Sequence, residues 1–380
     1  MEVYADYAAT TPVKQQVIDK MMEIYTTHYG NPSSIHSIGR DARKYLDESR
    51  RFVAKQLNAK PSEVIFTSGA TESNNTAIKG IAYANQDKGK HIITTKIEHH
   101  SVLHVFEQLA KEGFDVTYLD VDEEGLISLE QLKSAMTDET ILVSIMFVNN
   151  EIGTVQPMYD IDEIVSHSNA LFHVDAVQAI GHLDIDFHEF DIDAMSITAH
   201  KFGGPKGVGV LLIKSGTNIK FPQLGGEQEV KRRAGTENVP QIVGLAEALK
   251  LANQYIDENN VHLMNLKNQF LVSLQERSVP FELNGSMTDT TGHIVNLYFP
   301  FIDVETMLTL LDLANIYVAS GSACTAGSTS PSHVLVAMYD DDTRANHSVR
   351  FSFNEQTTEQ EIKYLVTEIH KIYHKFKEEV

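Results

Sequence analysis

Cysteine is almost absent from this chain of 380 residues, which has only Cys324. A single cysteine cannot close an intramolecular disulfide, so nothing indicates an oxidising compartment. Positive charge is also scarce. The chain has 31 lysines and arginines against 52 acidic residues, a formal net charge of −21. This balance argues against direct binding to nucleic acid or to an anionic membrane surface.

Long apolar runs and a leader-like N-terminus are missing as well. Stretches such as 141–148 are too short to span a bilayer. Residues 1–6 are acidic and lack the basic and apolar regions of a signal peptide. We therefore expect a cytoplasmic protein with no membrane contact. The hydrophobic fraction of 42% is ordinary for a globular protein, and the length favours two domains.

Short β-rich runs alternate with helical patterns between about residues 60 and 215. The runs lie at 64–66, 91–94, 116–119, 141–148, 171–174 and 207–213. Strands that are apolar almost throughout are buried on both faces, which indicates a mostly parallel sheet covered by helices. Beyond residue 256 the pattern becomes α+β, and a last helix is predicted after an N-cap at Thr357 or Thr358. We predict a large α/β domain over 16–255 and a small α+β domain made of 1–15 and 256–380.

Lys201 follows a predicted strand at 194–197 and lies in the glycine-rich segment 198–207. Most lysines are solvated surface charges. In α/β sheets, however, ligands bind beyond the carboxyl ends of the strands, and a desolvated lysine there can form a Schiff base with an aldehyde. The segment lacks the spacing of a Walker phosphate loop.

His173 and Asp175 are two residues apart in a predicted strand and so share a face. They could be paired metal ligands. Alternatively, Asp175 could pair with the pyridinium nitrogen of a cofactor and keep its ring protonated, with Gln178 donating to the ring hydroxyl. A plain turn or cap role for Asp175 is a third reading. The motif alone leaves all three open.

Two further segments are ambiguous. The hydroxyl-rich segment 67–73 predicts a strand-to-helix turn whose N–H groups and Thr71 hydroxyl could bind an anion, although a simple N-cap also explains it. His99 and His100 are adjacent. On a strand they would point to opposite faces, so they are not expected to bind one metal together. His99 could stack on a planar ring or pack in the core.

Cys324 lies among small and polar residues with flanking glycines, in the segment 319–328. A lone cysteine is more often a small buried apolar residue. This context instead predicts an exposed loop in which a thiolate can attack and then hand over its product. Arg350 lies within a predicted strand, where its guanidinium needs an anion. The anion could be a substrate carboxylate or an internal salt-bridge partner.

Taken in order, these motifs resemble the cysteine desulfurases of the class V aminotransferase group. The resemblance covers essentially the whole chain and rests on segments at 6–12, 30–34, 67–73, 148–153, 173–178, 198–207, 233–238 and 319–328. It implies a fold-type-I pyridoxal-phosphate (PLP) transferase. The large domain would hold a mostly parallel seven-stranded sheet flanked by helices, and the smaller α+β domain would carry the cysteine loop.

By this resemblance, the catalytic residues are Lys201, Cys324 and His99, and no metal is involved. Lys201 would hold PLP as a Schiff base, Asp175 would pair with the pyridine nitrogen, and His99 would stack on the ring. Asn150 and Gln178 would contact the ring hydroxyl. The phosphate would be bound by Ala70, Thr71, Thr198 and His200, and by Thr236 from the partner subunit of a homodimer. Arg350 would bind the substrate carboxylate, with Asn31 nearby.

The implied reaction removes sulfur from L-cysteine. Lys201 takes the Cα proton, Cys324 collects the sulfur as a persulfide, and L-alanine is released. The form of the segment 320–324 resembles the subgroup with a longer loop, which can carry the persulfide to acceptor proteins. Some relatives continue beyond the last helix with a tail that docks an iron–sulfur scaffold protein, and this sequence ends at Val380. We therefore expect a tRNA 2-thiouridylase as main acceptor, with iron–sulfur cluster assembly as the alternative and no direct contact with nucleic acid.

Four rival functions have different requirements. An aminotransferase needs no thiol such as Cys324, and a selenocysteine lyase would share the cofactor. A metal hydrolase would have to be built on His99, His100, His173 and Asp175. A non-catalytic interaction protein would not need a lysine, an aspartate and a cysteine together. A product assay separates the PLP enzymes, because desulfuration gives alanine without a keto-acid partner.

Overall fold

The computed structural model describes residues 1–321 and 331–377. The strands in these ranges are β1 (Val3–Tyr4), β2 (Val64–Thr67), β3 (His91–Thr95), β4 (Asp115–Leu119), β5 (Thr140–Met146), β6 (Leu171–Asp175), β7 (Ala194–Thr198), β8 (Gly209–Ile213), β9 (Glu282–Asn284), β10 (Ile294–Tyr298), β11 (Ile316–Tyr317) and β12 (Ser348–Ser352).

The α-helices are α1 (Gln15–Thr27), α2 (Ser37–Gln56), α3 (Ala70–Asn85), α4 (His100–Lys111), α5 (Leu129–Ala135), α6 (Met158–Ser166), α7 (Gln228–Lys231), α8 (Val239–Asn253), α9 (Ile256–Glu276), α10 (Val304–Leu313), α11 (His333–Tyr339), α12 (Asp342–Asn346) and α13 (Glu359–Phe376). Short 3-10 turns occupy Pro61–Glu63 and Ala199–Lys201. None of the helices in the described ranges is long and apolar enough to cross a membrane.

A seven-stranded sheet forms the centre of the large α/β unit. Its strand order is β2-β8-β7-β6-β5-β3-β4. The pairs from β7 to β4 are parallel, whereas β8 runs antiparallel to both of its neighbours. The predicted mostly parallel seven-stranded sheet is therefore confirmed.

Both faces of this sheet are covered, as the apolar strands require. Every residue of β5 and of β8 is buried. On one face, Ile78 and Phe106 bring α3 and α4 onto the sheet in one apolar cluster. On the other, Leu46 and Leu245 bring α2 and α8 into a second cluster. The sheet is the middle layer of an α/β/α sandwich.

A smaller α+β unit packs around an antiparallel sheet of order β12-β10-β9 and the parallel pair β1–β11. Its core includes Phe270 from α9 and Phe351 from β12. The last helix begins after Thr358, whose side chain accepts a hydrogen bond from the N–H of Glu361 in a capping box. This confirms an N-cap at one of the two predicted threonines.

The boundary between the two apolar cores lies between α8 and α9. Leu249 of α8 belongs to the large-sheet core, whereas Leu263 of α9 joins the core of the small unit together with Val3 and Ala5 from the N-terminus. On this basis we propose the domain division at residues 15 and 255.

Candidate active site

A cavity of about 560 Å³ opens at the carboxyl ends of β6 and β7, where α/β sheets bind ligands. Many of the side chains that line it were predicted as site residues, and they come from separate segments of the sequence. The predicted site residues that line it are Ala70, Thr71, His99, Asn150, Asp175, Gln178, Thr198, His200, Lys201 and Arg350. The fold therefore brings together motifs that are up to 280 residues apart in the chain.

Asp175 is the last residue of β6 and lies at the buried end of the cavity, with 4% of its surface exposed. Nδ2 of Asn74 donates to its Oδ2 at 2.8 Å, and the N–H of Val177 donates to its Oδ1 at 3.0 Å. Burial raises the pKa of Asp175, while these two hydrogen bonds and the positive charge of Lys201 oppose that rise. The site therefore holds a carboxylate that can pair with a cationic ring nitrogen.

Lys201 ends the short 3-10 turn that follows β7. Its Nζ donates to the backbone oxygens of Ala8, at 2.5 Å, and of Ala9, at 2.9 Å. The turn and these two carbonyl groups hold the amine at the cavity. This is the placement that a Schiff-base lysine needs.

The junction of β2 and α3 lines one side of the cavity with a helix N-terminus. Gly69 is the N-cap of α3 with φ +151°, a conformation that L side chains rarely adopt. Ala70 and Thr71 begin the 16-residue helix, where backbone N–H groups have no partner within the helix. Unpaired N–H groups and the positive end of the helix dipole favour a phosphate.

Two histidines line the cavity in their neutral form. Burial, with the charge of Lys201 as the next cause, lowers the pKa of both His99 and His200 to about 4. His99 is the N-cap of α4, and its Nδ1 accepts from the N–H of Ser101 at 3.0 Å. A neutral ring with a fixed orientation is suited to stacking on a planar cofactor.

His99 and His100 do not lie on a strand, because β3 ends at Thr95 and His99 caps the following helix. The two rings still diverge. His100 packs against His333, with ring centroids 4.5 Å apart, while His99 lines the cavity.

Arg350 forms the internal salt bridge that its sequence context allowed, and it also lines the cavity. Its side chain is 1% exposed, and Nη2 forms an ion pair with Oδ1 of Asp6 at 2.8 Å. Nη1 donates to the backbone oxygen of Asn150 at 2.9 Å. Nε is buried and has no hydrogen-bond partner among the described residues. The guanidinium is therefore at the cavity wall, and a guanidinium is a group that can bind an anion.

Two predicted residues in the described part of the chain, Asn31 and Thr236, do not line the cavity of the single chain. Thr236 is exposed, as is Asn31, whose Oδ1 accepts from the N–H of Ser33 at 2.9 Å. Cys324 lies outside the described residues. The assigned roles of these three residues remain predictions.

His173 is a packed core residue rather than a metal ligand. Its ring is hydrogen-bonded to the hydroxyls of Ser144 at 2.8 Å and Ser196 at 3.0 Å, and burial lowers its pKa to about 3. Within residues 1–321 and 331–377, no group of three or more potential ligand side chains has a geometry that could hold a metal. The metal-ligand reading of His173 and Asp175 is therefore not supported.

Sequence reasoning missed Asn74, which joins two site residues. Its Nδ2 donates to Asp175 and also to the hydroxyl of Ser101 at 2.9 Å. Ser101 in turn contacts His99. A signal was present, because Asn74 lies four residues after Ala70 and so on the same face of α3.

The residues at this cavity fit PLP. A buried carboxylate, an amine and a neutral ring meet a helix N-terminus suited to a phosphate, and Nε of Arg350 offers an unused buried donor. Asp175 is placed for the ring nitrogen and Lys201 for the aldehyde. The N-terminus of α3 is placed for the phosphate.

The family model for class-V aminotransferases matches residues 3–365. The chain belongs to this family. It is 49% identical to the putative cysteine desulfurase IscS 1 of Bacillus subtilis, over 95% of this chain and 96% of that protein. It is 48% identical to the cysteine desulfurase IscS of Clostridium botulinum, over 98% and 94% of the two chains. The family depends on PLP, which confirms the predicted cofactor.

Solved structures agree with this assignment. A NifS-like protein superposes with a TM-score of 0.93 at 38% identity, covering 98% of this chain and all of that one. SspA in complex with cysteine superposes with a TM-score of 0.82 at 35% identity, covering 94% of this chain and all of that one. The fold-type-I class predicted from the sequence is confirmed.

Proposed function

We propose that this chain is a PLP-dependent cysteine desulfurase that converts L-cysteine to L-alanine and leaves the sulfur on Cys324. The observation that carries the proposal is the meeting of Lys201, Asp175 and the N-terminus of α3 at one cavity. The chain also matches IscS-type desulfurases over nearly its full length. The rival metal hydrolase lacks a ligand set in the described residues.

Bound PLP supplies an aldehyde for amines and a ring that withdraws electrons from the substrate's Cα. We assign Asp175 to its ring nitrogen, His99 to its face, and Asn150 and Gln178 to its hydroxyl. The phosphate contacts are assigned to Ala70, Thr71, Thr198 and His200, which line the same cavity.

Lys201 and Arg350 act on the substrate itself. Arg350 is fixed by Asp6 and by the backbone of Asn150, so its guanidinium has a defined orientation for the substrate carboxylate. The amine of Lys201 is the base that we assign to the Cα proton, because it lies at the cavity beside the cofactor residues.

The thiol of Cys324 is enough to take the sulfur from the substrate in a balanced reaction. The thiolate of Cys324 attacks the sulfur of L-cysteine, so an S–S bond forms as the Cβ–S bond breaks. The electron pair of the broken bond goes to Cβ, which takes up a proton. L-cysteine and the Cys324 thiol become L-alanine and a Cys324 persulfide, with no outside oxidant.

A homodimer is part of this proposal. Exposed apolar side chains follow one another from α1 to the start of α2, at Ile18, Met22, Tyr25, Tyr29, Ile35 and Ile38. A surface of this kind favours a protein partner. Thr236, exposed and away from its own cavity, would then reach the phosphate bound by the other protomer.

We also propose a cytoplasmic enzyme that passes its sulfur to a tRNA 2-thiouridylase, with an iron–sulfur scaffold protein as the second candidate. A reducing compartment suits chemistry on one unpaired cysteine. The net charge of −21 leaves RNA binding to the acceptor. Enzyme loaded with sulfur-35 from labelled L-cysteine should label the thiouridylase first, and exclusive labelling of the scaffold would overturn this preference.

Replacing the lysine tests the activity. Lys201→Ala should lower alanine production from cysteine by at least about 10³-fold, because both the covalent anchor and the base are lost. The variant should also lose the borohydride-sensitive visible absorption of the lysine-bound cofactor. Lys214→Ala removes a lysine paired with Asp191 outside the cavity and should change neither. Near-normal alanine production by Lys201→Ala, or a need for a keto acid in the parent, would contradict the proposed function.

A further inference from the structure

Glu151 has a buried carboxylate that the desulfurase chemistry does not use. It lies in the turn after β5, and its side chain is 1% exposed. The turn is rigidly held. Oδ1 of Asn149 accepts from the N–H groups of Glu151 and Ile152, at 2.8 and 3.1 Å. Nδ2 of Asn296 donates to the backbone oxygen of Glu151 at 3.1 Å.

This carboxylate contacts both described ends of the chain that surround the cysteine segment. On one side, the hydroxyl of Ser332 donates to Oε2 of Glu151 at 2.5 Å. On the other, a Cβ built on Gly321 would lie 3.1 Å from the same oxygen, so Gly321 packs directly against the carboxylate. Gly321 and Ser332, which are eleven positions apart, thus both lie next to the carboxylate of Glu151.

The same point borders the site that we assign to the substrate. The residue before Glu151 is Asn150, whose backbone oxygen accepts from Arg350. Ala319, two residues before Gly321, pairs with Arg350 through both backbone groups, at 3.2 and 2.7 Å. Gly321 therefore lies near Arg350 on one side of the cysteine segment, and Ser332 follows on the other side of it in the sequence.

Beyond Ser332 the returning chain is anchored firmly. Ser332 is the N-cap of α11, and its side chain accepts from the N–H of Leu335 at 3.2 Å. Val334 and Leu335 pack against Ile152 in one apolar cluster. Glu151 and its neighbour Ile152 thus hold α11 through both a hydrogen bond and apolar contact.

We propose that Glu151 is a positioning residue for sulfur transfer. By holding Gly321 and Ser332 at one carboxylate, it fixes where the segment that carries Cys324 begins and ends relative to the substrate beside Arg350. A misplacement of about 1 Å between reacting groups can cost about 100-fold in rate. The inference rests on the proposed desulfurase activity and assigns Glu151 to the thiol step alone, not to the proton step at Lys201.

Two rates separate these steps. Exchange of the Cα hydrogen of L-alanine with D2O, followed by proton NMR, reports on Lys201 and needs no thiol. Persulfide formation from L-cysteine in a single turnover needs both steps. In Glu151→Ala we expect persulfide formation to fall by about 10- to 100-fold and Cα exchange to change by less than about threefold.

Partner variants test whether Glu151 acts through Ser332. Ser332→Ala should show the same selective loss of persulfide formation, but smaller, because it keeps the contact with Gly321. The double variant should be no slower than Glu151→Ala if the two residues act as a unit. Glu151→Gln keeps an acceptor oxygen for Ser332 and should fall between the parent and Glu151→Ala.

Glu63→Ala is the matched control for the loss of a buried carboxylate. Glu63 is fully buried and accepts hydrogen bonds from Lys60 and Ser215 at another part of the fold. We expect lower stability and an unchanged ratio of the two rates. A parallel fall of both rates in Glu151→Ala, or a parental rate of persulfide formation, would overturn the inference.

The single cysteine provides a readout that needs neither cofactor nor turnover. Every thiol label on the apoprotein reports on Cys324. A bulky thiol reagent should label Glu151→Ala faster than the parent and faster than Glu63→Ala, because the segment ends are no longer held. Equal labelling rates in all three proteins would count against the role of Glu151. A parent that makes no alanine from cysteine would instead refute the proposed function.

Discussion

Glu98 and Asp175 are two buried carboxyl groups with different hydrogen-bonding environments. Both oxygens of Asp175 accept hydrogen bonds. In Glu98, Oε1 accepts from Thr95 and from the N–H of Met146, while Oε2 is buried without a partner among the described residues. Burial raises the pKa of Glu98 from 4.5 to about 8, against the opposing effect of its two hydrogen bonds. Glu98 is therefore mostly protonated at neutral pH. Asp175, in contrast, has hydrogen-bond donors that stabilise its negative charge.

The raised pKa of Glu98 makes stability depend on pH. A carboxyl group whose pKa is higher in the folded state contributes full stability below its unfolded pKa of 4.5 and loses it as pH rises through 8. Glu98→Gln removes this titration but keeps an acceptor for Thr95 and Met146. Relative to the parent, the variant should gain on the order of 3 kcal/mol in unfolding free energy between pH 5 and pH 9. Urea unfolding at several pH values measures the difference.

Glu63→Gln is the control with the opposite sign. Burial raises the pKa of Glu63, but hydrogen bonds from Lys60, Ser215 and His188 outweigh burial and bring it to about 2. Its contribution is present above 4.5 and is lost as pH falls towards 2. The difference between parent and Glu63→Gln should therefore stay flat from pH 5 to pH 9. A flat difference for Glu98→Gln as well would contradict the raised pKa.

The sequence was informative about single residues wherever the chemistry needs a particular residue type in a particular local context. Lys201 was predicted because it follows a strand, and ligands bind beyond the ends of strands. Asp175 was assigned to the cofactor only by the resemblance, because its own motif left three readings open. Asn74 and Glu151 were not predicted, because their partners lie 101 and 181 positions away. Helical spacing places Asn74 on the face of α3 that carries Ala70, but no local pattern identifies a partner so distant in the sequence. The cavity places ten of the predicted residues together, while their individual roles remain to be tested.

At the scale of elements, the junction of β2 and α3 depends on one glycine. Gly69 has φ +151°, and a Cβ there would meet Oγ1 of Thr198 at 3.5 Å. Gly69→Ala should strain the backbone by about 1–3 kcal/mol and shift the N–H groups that we assign to the phosphate. We expect the Kd for PLP to rise at least tenfold, measured by titration of the apoprotein.

Gly113→Ala is the control that distinguishes a loss of stability through backbone strain from a change at the proposed phosphate site. Gly113 also has a positive φ, +92°, but an added Cβ would meet no atom within 4 Å, and the residue does not line the cavity. This variant should be destabilised with an unchanged Kd for PLP. Equal effects of the two substitutions on the Kd would show that the β2–α3 junction is not the phosphate site.

Elements were predictable where burial leaves a periodic pattern. The buried strands were recognised from their apolar runs, and α13 from its apolar stripe and N-cap. The reversed direction of β8 was not predicted, because a fully apolar run reads the same in a parallel and an antiparallel strand. The position of His99 at the start of α4 was not predicted either. Its imidazole serves as a helix cap, a role usually taken by smaller side chains.

At the scale of the whole molecule, the proposed homodimer makes the surface around α1 an interface. Tyr29 is 72% exposed and Ile35 is 90% exposed. The double variant Tyr29→Glu and Ile35→Glu should sediment as a monomer, because charges would have to be buried in the contact. The Kd for PLP should rise by about tenfold, since a lost hydrogen bond from Thr236 is worth about 1.4 kcal/mol.

Val272→Glu is the control for adding a charge to an exposed apolar position. Val272 is 50% exposed and lies on α9 of the small unit. It should leave both sedimentation and PLP affinity unchanged. A parent chain that sediments as a monomer would refute the homodimer, and a dimeric double variant would place the interface elsewhere.

The strand order of the large sheet has a consequence for how the chain is made. β8 sits between β2 and β7, so the edge of β7 stays open on the ribosome until residues 209–213 have emerged. Open strand edges invite pairing with other chains. The small unit can form only later, because Val3 and Tyr4 pair with Ile316 and Tyr317. The small unit also needs β12 and α13, so a nascent chain stalled before residue 209 should depend on chaperones, and one released after residue 376 should not.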